Sequence, residues 1–180
     1  MANFNTDVNI IPDRGVSVSQ TPRILKAVYG DGYEQRVAAG INNLPEEWSL
    51  TWNNATKANA NKIIKFLEDQ NGVTAFGWYP PDTEISSTTT SAATNKLIDT
   101  TQVFTNRLLN TTVTDSGAST ATVTAVDSTT QLTLSSDLMS SGETYTIYPT
   151  KKYKCEKWST SMPFLGVKSV SATFIRVFEP

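Results

Sequence analysis

A change of composition inside the chain constrains its fold more than any single residue. Over the 67 residues from Glu84 to Thr150, serine and threonine supply 29, and tryptophan is absent. All four tryptophans, Trp48, Trp52, Trp78 and Trp158, lie in the flanks. The segment also carries Glu84, Asp99, Asp115, Asp127, Asp137 and Glu143 against only Lys96 and Arg107. Two such shifts point to a host domain, 1–83 and 151–180, interrupted by an inserted module at 84–150. The loop Tyr79-Pro80-Pro81-Asp82 is the natural acceptor, because insertions survive best at exposed loops.

Inside the segment, Ile85 to Thr94 reads as a loose Ser/Thr linker. Beyond it, the runs Ala121–Val126, Gln131–Leu134 and Glu143–Tyr148 alternate β-branched and polar residues. Asp127-Ser128 and Ser141-Gly142 separate them as turn signals, so the module is expected to be small and all-β. In the flanks, Ile24–Tyr29, Trp48–Trp52, Val73–Trp78, Tyr153–Trp158 and Lys168–Phe178 read as strands. Val170, Ala172, Phe174 and Arg176 share one face of the last.

One segment has the other period. Asn59 to Gln70 places Ile63, Ile64, Phe66 and Leu67 on one side and Lys62, Lys65, Glu68 and Asp69 on the other. That predicts a single amphipathic helix, started near Asn54 or Thr56 and stopped by Asn71-Gly72. The expected class is α+β, mainly antiparallel β, with one helix packed on the sheet.

The materials of an active site are scarce. The chain has no histidine and a single cysteine, Cys155. Histidine-dependent triads and histidine-ligated metals are therefore excluded, and Cys155 reads as a buried apolar residue. The 17 acidic residues form no calcium-loop spacing. The expectation is no enzyme, no catalytic residue, no cofactor and no metal. No apolar run approaches the roughly 20 residues that span a bilayer, so no membrane segment is expected and the chain reads as soluble. A formal net charge of −2 gives no electrostatic case for sequence-specific nucleic-acid binding. The basic run Lys151, Lys152, Lys154 and Lys157 has the spacing of a solvated edge strand.

The stretch that remains is Tyr29 to Arg36, Y-G-D-G-Y-E-Q-R. Its two glycines permit a tight turn with positive φ, and the side chains that follow can reach a neighbouring surface. Tyr29, Asp31, Tyr33, Gln35 and Arg36 are the candidate assembly contacts. Tyr33 offers rigid area and a hydroxyl, and Arg36 a planar fork of donors. The plainer alternative is a hairpin turn that shapes only its own subunit.

With these residues in view, the flanking parts resemble the minor tail protein M family of long-tailed bacteriophages, also called distal tail or tail-tip proteins. The resemblance runs through Thr21-Pro22-Arg23, the Tyr29–Arg36 turn, Gly40-Ile41-Asn42 and the helix ending in Phe66-Leu67. It continues through Gly72, Phe76, Trp78 and Pro80-Pro81, stops there, and resumes with Tyr153-Lys154-Cys155 and Trp158. Tyr29 stands where the family usually has phenylalanine. The insert is absent from short members, so its role does not carry over. It is itself similar to a small all-β module of assorted phage virion proteins, through Asn110-Thr111-Thr112, Ala121–Val126 and Gln131–Ser135.

The resemblance implies a tail-tube-like β-sandwich or barrel with a flanking helix. It implies a structural virion protein at the tail tip, made in the host cytoplasm and forming a hexameric ring between tail tube protein and tip or hub proteins. DNA could pass through the lumen of such a ring. A competing reading is an adhesion protein that binds carbohydrate through the insert, whose aromatic residues are Phe104, Tyr145 and Tyr148.

Overall fold

The computed structural model describes residues 1–40 and 42–178; Ile41, part of the Gly40-Ile41-Asn42 motif, lies outside the described residues. In chain order the elements are α1 (Phe4–Asp7), β1 (Ser17–Gln20), β2 (Ile24–Val28), β3 (Glu34–Ala38), β4 (Glu46–Thr56), α2 (Lys57–Gln70) and β5 (Phe76–Trp78). Then follow β6 (Ile85–Thr88), β7 (Ser91–Ala93), β8 (Lys96–Ile98), β9 (Thr112–Asp115), β10 (Thr120–Ser128), β11 (Gln131–Leu134) and β12 (Thr144–Tyr148). The chain closes with the long hairpin of β13 (Lys151–Phe164) and β14 (Val167–Arg176). The fold is mainly antiparallel β with few helices. Two compact units emerge: Met1–Trp78 with Lys152–Pro180, and Tyr79–Lys151.

The first unit is built on a five-stranded sheet, order β1-β4-β14-β13-β5. Period-2 alternation turns Leu50 and Trp52 of β4 and Val170, Ala172 and Phe174 of β14 into one buried face. Helix α2 lies across β4 and β14 and fills that face with Ala60, Ile63, Phe66 and Leu67. Its start is the Thr56 side chain, which accepts from Asn59 N. Its end is Asn71 in the left-handed region at φ 50, followed by Gly72 at φ 69. Val73 and Thr74 still donate to the Gln70 carbonyl. That closing turn consumes the first half of the expected Val73–Trp78 strand, leaving Phe76–Trp78.

A second helix was not foreseen. Asn3 caps α1 with its side chain, and the single turn drops Phe4 into the core. Phe4 meets Phe66 and Phe174 edge-on, both at 5.3 Å between centroids. A four-residue turn has too little periodicity to be read from sequence. The basic run is also placed differently from expectation, since β13 sits between β14 and β5 and not at an edge. Lys154 pairs with Glu156 at 2.5 Å.

The second unit is a seven-stranded antiparallel sheet, order β6-β12-β9-β10-β11-β8-β7. Its core gathers Leu97, Phe104, Val113, Val123, Leu132, Tyr145 and Ile147. Ile85 to Thr94 is not a linker: it contains β6, paired with β12, and β7, paired with β8. Thr89 between them is buried, donates through Oγ1 to the Ser140 carbonyl at 2.5 Å and through N to the Glu143 carbonyl at 2.9 Å. Hydroxyls here tie strands together where apolar side chains are few. Asp99 is buried as well; burial acts to raise its carboxyl, but hydrogen bonds from Ser87, Thr101 and Tyr145 outweigh this and hold it below the usual range.

Candidate functional site

Strands β2 and β3 form a two-stranded ribbon that joins neither larger sheet. It leaves the first unit where β1 ends, at the Gln20–Glu46 pair. Its root is closed by Arg23 N donating to the Asn43 carbonyl at 2.7 Å and Ala39 N to the Arg23 carbonyl at 2.9 Å. That end of the sheet is anchored by a buried charge. Glu46 accepts from Tyr153 Oη at 3.2 Å and from Arg176 Nη1 at 3.1 Å. Burial, reinforced by the Glu46 carboxylate, pushes the Tyr153 hydroxyl well above the ordinary tyrosine range.

The ribbon's own turn is Gly30-Asp31-Gly32, closed by Tyr29 N donating to the Tyr33 carbonyl at 2.8 Å. The left-handed positions are Asp31 at φ 66 and Gly32 at φ 80. Positive φ therefore falls on the aspartate and the second glycine. Aspartate tolerates that region better than most residues, which is why the turn does not need a third glycine.

Register sorts the side chains. Leu25 pairs with Val37 and Ala27 with Gln35, and Tyr29 stands across from Tyr33. By strand alternation these six share one face, and Tyr29 Oη donates to Gln35 Oε1 at 3.3 Å on it. None of the six is charged; the row continues into Arg23 and Ala39 only at the root. Its large members are open to solvent: Tyr33 75%, Leu25 64%, Tyr29 56% and Val37 55%. The opposite face carries Lys26, Glu34 and Arg36, with Lys26 Nζ at 2.5 Å from Glu34 Oε2 and Arg36 paired to the same carboxylate. Ile24 and Val28 share that charged side.

Of the residues expected to make contacts, Tyr29, Tyr33 and Gln35 are thus brought together, Asp31 sits at the tip, and Arg36 points the other way into an ion pair of its own ribbon. Leu25, Ala27 and Val37 belong to the same uncharged face and were missed. The signal that could have found them is the parity of the two strands about the turn. A two-stranded ribbon is marginal in water, and this one leaves a row of apolar and aromatic side chains uncovered. Such a surface can bury area against a protein; it holds no group arranged for bond making or breaking.

Residues 7–113 match the sequence model of the phage minor tail proteins. This chain belongs to that family. The span covers the whole ribbon and α2, and it runs past Pro81 to Val113, inside the second unit. Tyr153-Lys154-Cys155 and Trp158 lie beyond it. A curated relative, tail tip protein M of Escherichia phage lambda, is 36% identical over 67 residues, which is 37% of this chain and 61% of the relative. The match thus spans about three-fifths of that relative's length. As a phage minor tail protein the chain has a structural role in the virion tail. Among the described residues no helix is long and apolar enough to cross a membrane.

Proposed function

We propose that this minor tail protein is a tail-tip subunit that assembles as a hexameric ring joining the end of the tail tube to the tip or hub proteins. The observation that carries the reading is the uncharged ribbon face of Leu25, Ala27, Tyr29, Tyr33, Gln35 and Val37. Fully burying one leucine or valine contributes roughly 1.5–3 kcal/mol, so covering this row stabilises an assembly while exposing it does nothing for the monomer. Tyrosine is among the residue types that dominate such contacts. The five-stranded sheet with α2 across it fits a tail-tube-like subunit, and the second unit is read as an insertion into that host. No catalysis and no cofactor enter this function, and any DNA passes through the lumen without being read.

Two observations weigh against the competing adhesion reading: Phe104 and Tyr145 are core residues of the second unit, and its exposed Tyr148 meets Tyr79 in a tilted pair at 5.3 Å between centroids.

The test is complementation of a phage lacking this protein with the Leu25→Ser/Tyr33→Ser variant. The purified variant should fold as the parent does, and the particles should carry incomplete tails or none. Normal virions would rule the ribbon out as an assembly surface. A reconstruction of the native tail with other than six copies in a ring would correct the stoichiometry.

A further inference from the structure

A second uncovered apolar patch lies at the turn of the β13–β14 hairpin. Phe164 pairs with Val167, which leaves Leu165-Gly166 as a two-residue turn with Gly166 at φ 80. Positive φ falls on Gly166 alone, so the turn geometry makes no demand that accounts for an apolar residue at Leu165. Here Leu165 is 105% exposed, with Phe164 at 73% and Met162 at 72%. From Ser159 to Gly166 there is no charged residue. Nothing in the first unit gains from holding these three side chains in water.

The place of this tip matters as much as its chemistry. Val167 pairs with Thr56, the last residue of β4, and Lys57 N donates to the Gly166 carbonyl at 3.2 Å. The ribbon departs at the other end of the same strand, where Gln20 pairs with Glu46. At about 3.4 Å per residue, the ten steps of β4 put the two roots roughly 34 Å apart along the strand. One subunit therefore carries two different uncharged apolar patches at opposite ends of β4. Rings of identical subunits are closed by heterologous contacts, in which one patch meets a different patch of the next copy. Both patches being free of charge, neither has an ion to desolvate when they meet.

We propose that the uncharged ribbon face of one subunit docks on the Met162–Phe164–Leu165 tip of a second copy, head to tail. This rests on the reading of the ribbon as the ring contact and adds its counterpart. A ribbon face about 17 Å long and 10 Å wide falls well short of the roughly 800 Å² per partner of a free-standing complex. The contact therefore forms on the growing tail, where a template raises local concentration.

The experiment is done on assembled tails. Two full-length variants, Gly30→Cys and Ser161→Cys, which sit beside the two patches and leave every member of them in place, are supplied together to a phage lacking the protein, and the tails are treated with a short bismaleimide. Gly30 has no positive φ and open space around it, and Ser161 is exposed. Cys155, the native thiol, is buried and gives a low background. A Gly30→Cys to Ser161→Cys cross-linked dimer, absent when either variant is supplied alone, is the expected result. A link between two copies of Gly30→Cys, a link to a different tail protein only, or intact tails with no link would each overturn the docking. Two further variants separate the two readings. Normal tails with Leu25→Ser/Tyr33→Ser would remove the ribbon reading itself. Tails lost there but normal with Phe164→Ser/Leu165→Ser would remove only the tip as its counterpart.

Discussion

At the scale of single residues, Tyr33 and Arg36 are separated by three positions and by the thickness of the ribbon. Arg36 is exposed and already paired to Glu34, so Arg36→Ala should fold normally and change stability by about 0–1 kcal/mol in urea titrations. Its effect on tail assembly should be smaller than that of Tyr33→Ser. Equal loss of tails in the two variants would show that Arg36 leaves Glu34 for a neighbour's carboxylate. Tyr145 and Tyr153 make a different kind of prediction. Burial is the main cause holding both hydroxyls above the ordinary tyrosine range, with Asp99 and Glu46 reinforcing it. A group raised in the folded state contributes stability that is present below its unfolded value, about 10, and lost as pH climbs above it. Absorbance titration should therefore show two of the six tyrosines ionising only together with alkaline unfolding. Full ionisation of all six while the fold persists would contradict this.

At the scale of elements, helix α2 and the ribbon are opposites. Helix α2 is held by tertiary packing: Ile63 is fully buried and Ile64 only partly. Ile63→Ala should cost about 2–5 kcal/mol and Ile64→Ala clearly less, as read from denaturation midpoints. The ribbon has no such support. Amides of β2 and β3 should exchange fast in the purified chain and slow markedly in intact tails; protection already present in the monomer would mean the ribbon is self-sufficient. The helix was legible because its caps and its apolar period are local. Strands β6 and β7 were not, because a Ser/Thr strand and a Ser/Thr linker have the same composition. What separates them is Thr89, whose partners Ser140 and Glu143 lie more than fifty positions away along the chain.

At the scale of the molecule, the two units divide near Trp78 and Lys152. If the second is an insertion into a self-contained host, replacing Glu84–Thr150 by a short Gly/Ser linker should leave a chain that unfolds cooperatively. Loss of cooperative unfolding in that variant would mean the first unit depends on the second. The family match extending to Val113 makes this informative, because it places part of the second unit within the family's own sequence.

The sequence by itself determined what short stretches of backbone dictate: the capped helix, the alternating strands, the turn at Gly30–Gly32 and the absence of histidine chemistry. Only the tertiary structure decided that Phe4 joins the aromatic core, that β13 is an interior strand, and that Arg36 and Tyr33 face opposite ways. It alone showed that the large side chains of the ribbon face stand open to solvent, and that a second bare tip stands at the far end of β4. Side-chain period is set by local dihedral geometry, which neighbouring residues encode directly. Coverage and placement depend on partners dozens of positions away, and those are chosen when the sheet closes.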